Sequence, residues 1–308
     1  MHKHLPKIAV ISTIISFVFF GLGTPIAKTV VETIPPSTFI FLRFSLALLL
    51  ITPIYYLKGD LKTVDNKHLP KILIITFLGP AASNLLTYSG LQRTEASAAA
   101  VIFALFPIVT IILSIFISKE KVRKVTIFGS LVALAGTIII FLDPKNINIQ
   151  EIFGQFLLFA SNVTIALYTI YIKKYIKEYN YQTLIVFSFF MASLTSLPFV
   201  MLDMANGVDW MSKLNTKITL FILYDSLIGG ILAYILYERS LKYLNASFES
   251  ILGYIQPIIA VIASIIILNE QPDAIFYLGS IFILAGVTIA DFPLPAHIHL
   301  LRKIHLRH

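Results

Sequence analysis

The sequence predicts an all-α integral membrane protein of ten transmembrane helices, built as two inverted five-helix repeats. Three observations carry that expectation: a composition too apolar for water, ten apolar runs of spanning length, and a self-match at an offset of 150 residues. Of 308 residues, 57% are hydrophobic and 13% charged, with a mean hydropathy of +0.85. Soluble chains are about 45–50% apolar and about 25% charged, so most of this surface is expected to face lipid.

A helix needs about 20 mostly apolar residues to cross about 30 Å of hydrocarbon. The first run, 8–27, follows the basic start MHKHLPK and has the look of a secretory signal. Nine further runs follow it, so it reads as a retained first span. They are 37–57, 72–92, 96–118, 125–142, 152–172, 181–202, 218–241, 245–268 and 274–290. Their connections are short and hold turn formers such as Pro35, Pro36, Gly59, Asp60, Asp143, Pro144, Asn206, Gly207, Pro272 and Asp273.

Charge sets the orientation. Of the 24 Lys and Arg residues, 18 fall on the side holding both termini, five on the other, and Arg43 lies within a span. The positive-inside rule places both termini in the cytoplasm of a cell (inner or plasma) membrane protein, as an even span count requires. The net charge of +8 is thereby assigned to membrane topology, and no nucleic-acid partner is expected. With no cysteine, thiolate chemistry, disulfides and iron–sulfur clusters are excluded.

The repeat appears when Pro107 is set against Pro257, a register that holds without a gap from about Ala81 to Ile140. Ala96 and Ser97 meet Ala246 and Ser247, Glu120 meets Glu270, and Gly129 and Ser130 meet Gly279 and Ser280. Leu134, Ala135 and Gly136 meet Leu284, Ala285 and Gly286. Five spans per half is odd, so the second half enters the membrane from the opposite face. The turn KEKVRK after span four is basic, whereas its counterpart NEQPD after span nine has no positive residue. These are the marks of an inverted-topology repeat, whose inward-open and outward-open packings lie close in energy. The expected units are residues 7–142, residues 152–292 and a basic cytoplasmic tail, 293–308.

The stretch GLGTPIAK in span one, IPPSTFIFLRF leading into span two, and the pair QRTEASAAAVIFALFPIVTIILSIFISKE and KYLNASFESILGYIQPIIAVIASIIILNE carry a family resemblance. Together with LVALAGTIII and IFILAGVTIA, they resemble the EamA-type carriers of the drug/metabolite transporter superfamily, over about Lys7 to Asp291. The resemblance implies a secondary carrier of small metabolites: amino acids and their analogues or, in related branches, nucleotide sugars and S-adenosylmethionine. Span one lacks the membrane-embedded Glu of the four-span multidrug exporters, a departure from simple proton-driven drug export.

Helix breaks shared by both halves point to a cavity, because freed backbone groups in a membrane need protein or water around them. Gly79 and Pro80 meet Gly229 and Gly230, and Pro107 meets Pro257, all near mid-span; the prolines are expected to free carbonyls such as those of Phe103 and Gly253. The polar residues expected to handle substrate are Asn84, Tyr88, Asn162, Tyr168, Tyr234, Tyr254 and Gln256, with Ser161 and Thr164 beside them. Ser12, Thr13 and Ser16 could join them or bond their own helix. Helix-to-helix hydrogen bonding is the alternative reading for each.

Charges inside spans are costly and face the interior. Arg43 and Asp225 reach similar depths, so a pair is open to them, and Arg43 either attracts a carboxylate or closes an outer gate, or it fixes its helix. Glu249 either receives an ammonium group or a proton, or snorkels to water or pairs with Arg239 or Lys242, while Glu238 and Lys242 stand four apart as a helix-end ion pair. The tail HIHLLRKIHLRH reads as a membrane-surface segment rather than a metal site, and neither metal nor cofactor is expected. The expected partners are a small-molecule substrate and membrane lipid; oligomeric state is not legible. Two other classes are open to a chain of this composition, a membrane-embedded enzyme and a channel. Histidines confined to the termini and His68 offer the first no catalytic cluster, and the second would need a ring of pore charges.

Overall fold

The computed structural model describes residues 5–118, 124–141, 148–244, 249 and 252–291. The tail 293–308, the turn holding Glu120 and Lys121, and Ala246 with Ser247 lie outside the described residues. Among the described residues there is no strand, and the helices are α1 (Leu5–Val31), α2 (Pro36–Leu57), α3 (Leu69–Leu91), α4 (Ala96–Ile117), α5 (Lys124–Phe141), α6 (Ile149–Ile176), α7 (Glu178–Ala205), α8 (Thr216–Leu241), α9 (Ile255–Leu268) and α10 (Ala274–Asp291). Seven of them, α1 to α4 and α6 to α8, are long and apolar enough to cross a membrane. The chain is an all-α membrane protein.

Helix ends follow local chemistry. The α1 helix runs on past the predicted 27 because Lys28 finds partners: its Nζ lies 2.9 Å from the Glu32 carboxylate and 2.9 Å from Leu91 O at the end of α3. Near the start of α7 the chain turns at Asn180, whose φ of 60° and ψ of 162° fall in a region that residues with side chains rarely adopt. Its Nδ2 donates to Asp60 O at 2.7 Å, and Lys62 Nζ donates to Glu178 O at 2.9 Å, so the α2–α3 loop is tied to this corner.

Side chains in the middle of the bundle come from both halves. Phe44 of α2 packs on Phe189 of α7, and Phe17 and Phe20 of α1 pack edge-on against Tyr237 and Tyr234 of α8. Backbones approach closely between α5 and α10, where a Cβ on Gly136 would sit 2.6 Å from Gly279 O. Small residues allow such contact where lipid offers no hydrophobic drive for association. The outward faces carry large apolar side chains, among them Leu49, Tyr56, Leu57, Phe116, Met201 and Ile266, a pattern suited to a hydrocarbon solvent.

Candidate functional site

Two helices lose their regular ladder at matching places. The α3 helix widens into a π-helix over Phe77–Ser83 and α8 over Leu227–Leu232, starting 150 residues apart. Pro80 has no N–H to give and Gly79 sits at ψ −114°, so the α ladder cannot pass through. The displaced carbonyls find side-chain donors. Ser83 Oγ donates to Gly79 O at 2.6 Å, Asn84 Nδ2 to Pro80 O at 2.9 Å, and Arg43 Nη2 to Gly229 O at 3.0 Å. In α4 the break falls at Ala104 and Leu105, and Pro107 and Pro257 each occupy the first turn of the helix that follows. A proline there removes no intrahelical bond. The prolines thus restart helices rather than loosen them midway, and the expectation of a freed Gly253 carbonyl fails: it accepts Gln256 N–H at 3.0 Å.

Around the α8 π-segment lies a buried charge cluster. Arg43 and Asp225 are 4% and 3% exposed and pair at 3.1 Å from Nη1 to Oδ2. Tyr88 ties both together, accepting from Arg43 and donating to Asp225 Oδ2 at 3.0 Å. Arg43 Nη1 also donates to Asn84 Oδ1 at 3.2 Å, which aligns Asn84 Nδ2 toward Tyr234 at 3.5 Å. The guanidinium lies 4.8 Å from the ring centroid of Phe44, a cation–π contact in a dry environment. A buried ion pair is stabilised by further hydrogen bonds, and this one receives them from Asn84 and Tyr88 of α3 and Gly229 O of α8, while Arg43 Nε has no partner among the described residues.

The cluster forms one wall of a central cavity of about 150 Å³. Helix α1 supplies Phe17, Phe20, Gly23, Thr24 and Ala27; α3 supplies Ser83, Asn84, Thr87, Tyr88 and Leu91; α4 supplies Phe103 and Phe106. Ser161, Asn162 and Ile165 come from α6, Asp225, Tyr234 and Tyr237 from α8, and Gln256 from α9. The lining is largely apolar and aromatic with a few convergent polar groups, the usual character of a small-molecule site.

Of the polar and charged residues singled out in the sequence, Arg43, Asn84, Tyr88, Ser161, Asn162, Asp225, Tyr234 and Gln256 line this cavity. Asn162 also donates to Ile102 O at 2.7 Å, beside the break in α4. Tyr168 stands behind the wall; its ring covers Gly79, where a Cβ would come within 2.5 Å, and its hydroxyl bonds Glu238. Tyr254 and Glu249 do not line the cavity. Two ion-pair expectations are corrected. Glu238 turns inward to Tyr168 while Lys242 is exposed over the Tyr243 ring, and Glu249 is fully buried on Ser240 Oγ rather than paired with Arg239 or Lys242. Thr13 and Ser16 bond their own helix at Ala9 O and Thr13 O, and Thr164 bonds Ser161 O. Sequence reading missed Thr87, three residues from Asn84 on the same helix face, and the α1 stripe Phe17, Phe20 and Thr24, whose i, i+3, i+7 spacing was the available signal.

The sequence model of the EamA-like transporter family matches this chain twice, over residues 7–142 and 152–290. The uncharacterized transporter YetK of Bacillus subtilis is 24% identical over 285 residues, covering 91% of this chain and 86% of that protein. An uncharacterized transporter of Clostridium kluyveri is 30% identical over 200 residues, 64% of this chain and 63% of its own length. A solved crystal structure, 16% identical, superposes with a TM-score of 0.66 over 91% of this chain and 95% of that one, a likeness of fold.

Proposed function

We propose that this chain, which belongs to the EamA-like transporter family and is a transporter, carries a small metabolite of amino-acid size across the cell membrane by alternating access to the central cavity. The single observation that carries the substrate class is the cavity itself: about 150 Å³, with Arg43 and Asp225 both on its wall. An engineered apolar cavity of about 150 Å³ takes benzene. A small zwitterion is of that order, whereas a nucleotide or S-adenosylmethionine is several times larger, so the first is favoured over the second. A zwitterion also matches the chemistry. Its carboxylate competes for Arg43 and its ammonium for Asp225, so the internal pair is replaced without stranding either charge.

The architecture that goes with this reading is ten crossings in two inverted halves, 7–142 and 152–292, with the termini cytoplasmic. Its support is the 150-residue spacing of the two π-segments and the two successive family matches. The opposed charge of the turns KEKVRK and NEQPD supports it as well. In such a molecule the same wall faces one side and then the other as one half rocks against its counterpart.

Counterflow in liposomes tests the reading. Vesicles preloaded with unlabelled L-serine, L-alanine or L-threonine take up the labelled compound in a saturable manner, and S-adenosylmethionine gives none. Non-saturating flux without counterflow replaces the carrier with a channel, and counterflow by S-adenosylmethionine alone replaces the substrate class.

A further inference from the structure

The buried carboxylate of Glu238 plays no part in the cavity wall. It is 0% exposed, within a helix long and apolar enough to cross a membrane, and forms no ion pair among the described residues. Oε1 accepts the hydroxyl of Tyr168, which also lies 3.3 Å from Ser188 Oγ, and Oε2 has no hydrogen-bond partner among the described residues. Among the described residues Arg239 and Lys242, one and four positions further on, are exposed, and the less exposed ionisable groups within electrostatic range of Glu238 are Tyr55 of α2, Tyr168 of α6, Tyr234 and Tyr237 of α8 itself, and Glu249. None of these less exposed groups is a cation. Lys173 stands on the Glu249 side, with its Nζ on Leu244 O. A dry, unpaired carboxylate costs several kcal/mol on the order of the penalty for any lone buried charge, and a proton removes that cost. Sodium would need several converging oxygens, whereas here the neighbouring hydroxyl points its hydrogen at the carboxylate.

Position gives the site its meaning. Glu238 lies one turn beyond Tyr234 and next to Tyr237, both on the cavity wall, and three residues before the end of α8 at Leu241. It therefore sits between the cavity and that end of the bundle, about 4.5 Å along the axis from the last helical residue. We infer that Glu238 is a proton-binding site that couples transport to the proton gradient: it holds a proton while this end is closed and dry, and releases it when opening admits water. The inference rests on the carrier reading above. It also places the coupling group apart from the Arg43–Asp225 pair, so proton and solute occupy different positions.

Infrared spectroscopy of the purified protein in lipid reads the proton directly. The carbonyl-stretch band of a protonated carboxyl fades reversibly as pH rises in the native protein and is missing from Glu238→Gln at every pH. A band that never responds to pH, or a Glu238→Gln spectrum that superimposes on the native one, overturns the site. Proteoliposome flux with labelled L-serine, L-alanine and L-threonine then reads the coupling. An imposed pH gradient drives accumulation in the native protein, and in Glu238→Gln accumulation drops to that of protein-free vesicles while counterflow persists. Equal accumulation in both proteins, or accumulation driven by sodium instead, overturns the coupling. If no amino acid shows counterflow in the native protein, the substrate reading fails and the infrared titration alone judges the proton site.

Discussion

The π-segments of α3 and α8 occupy matching positions and are put to opposite uses. At Gly79 the widened backbone receives the flat ring of Tyr168, and its carbonyls are answered by the helix's own Ser83 and Asn84. At Gly229 the same device admits charge: Arg43 reaches the carbonyl and Asp225 Oδ1 lies 2.7 Å from where a Cβ would stand. One segment is closed by local bonds and an aromatic neighbour, whereas the other depends on a side chain from a different helix. A repeated backbone fault thus provides room twice, and the side chains around each copy decide whether the room serves packing or polarity.

The sharpest contrast should come from breaking the charged side. Arg43→Ala leaves Asp225 buried without its partner, a loss of about 3–5 kcal/mol, read as a collapse of the melting temperature in detergent. The double variant Arg43→Met with Asp225→Leu recovers most of that stability and transports nothing; a single variant that melts like the native protein removes the pair from its central role. Next come the glycines themselves. Gly79→Ala and Gly229→Ala each overpack by about 1–3 kcal/mol, but the first lowers the melting temperature by pushing the Tyr168 ring, and the second mainly lowers uptake by displacing Asp225. Identical profiles for the two would erase the division of labour argued above.

Smaller effects follow at the cavity wall. Asn84→Ala and Tyr234→Phe weaken uptake more than Ser196→Ala, since Ser196 Oγ bonds only its own helix at Ala192 O and Ser193 O. Equal uptake in all three variants moves the site elsewhere. The smallest lies at the start of α4. Burial, and then the charges of Glu270 and Glu151, hold the Glu95 carboxyl above the usual carboxylate range. The folded protein therefore binds that proton more tightly than the unfolded chain. The resulting stability is present at low pH and is lost as pH rises through the raised value. Glu95→Gln flattens this slope in melting curves taken from about pH 4 to pH 8; an unchanged slope assigns the pH dependence to other groups.

Much of this was legible in the sequence because lipid imposes strong rules. Apolar length marks helices, and an Arg or Asp in a span must turn inward, which singles out Arg43 and Asp225 from the sequence. The offset of 150 pointed at Gly79, Pro80, Gly229 and Gly230, and there the backbone leaves the α ladder. Other features were not legible because helix rotation cannot be read from a run that is apolar all round. The i, i+3, i+7 spacing of Phe17, Phe20 and Thr24 marks them as one stripe but does not say whether that stripe faces lipid or the interior. Glu238 passed for a partner of Lys242, since four-residue spacing is compatible with pairing but does not say which way the carboxylate turns.

The carboxylate of Glu270, in the turn after α9, accepts the backbone N–H groups of Ala96 at 2.8 Å and Ser97 at 2.9 Å, at the first turn of α4. A hook that grips main chain asks nothing of the side chains it holds, so drift at Ala96 or Ser97 leaves the grip intact. Its release and recapture require no repacking of apolar surface. Shortening Glu270 by a single methylene to Asp would slacken that one grip while leaving the cavity wall, to which Glu270 does not belong, untouched.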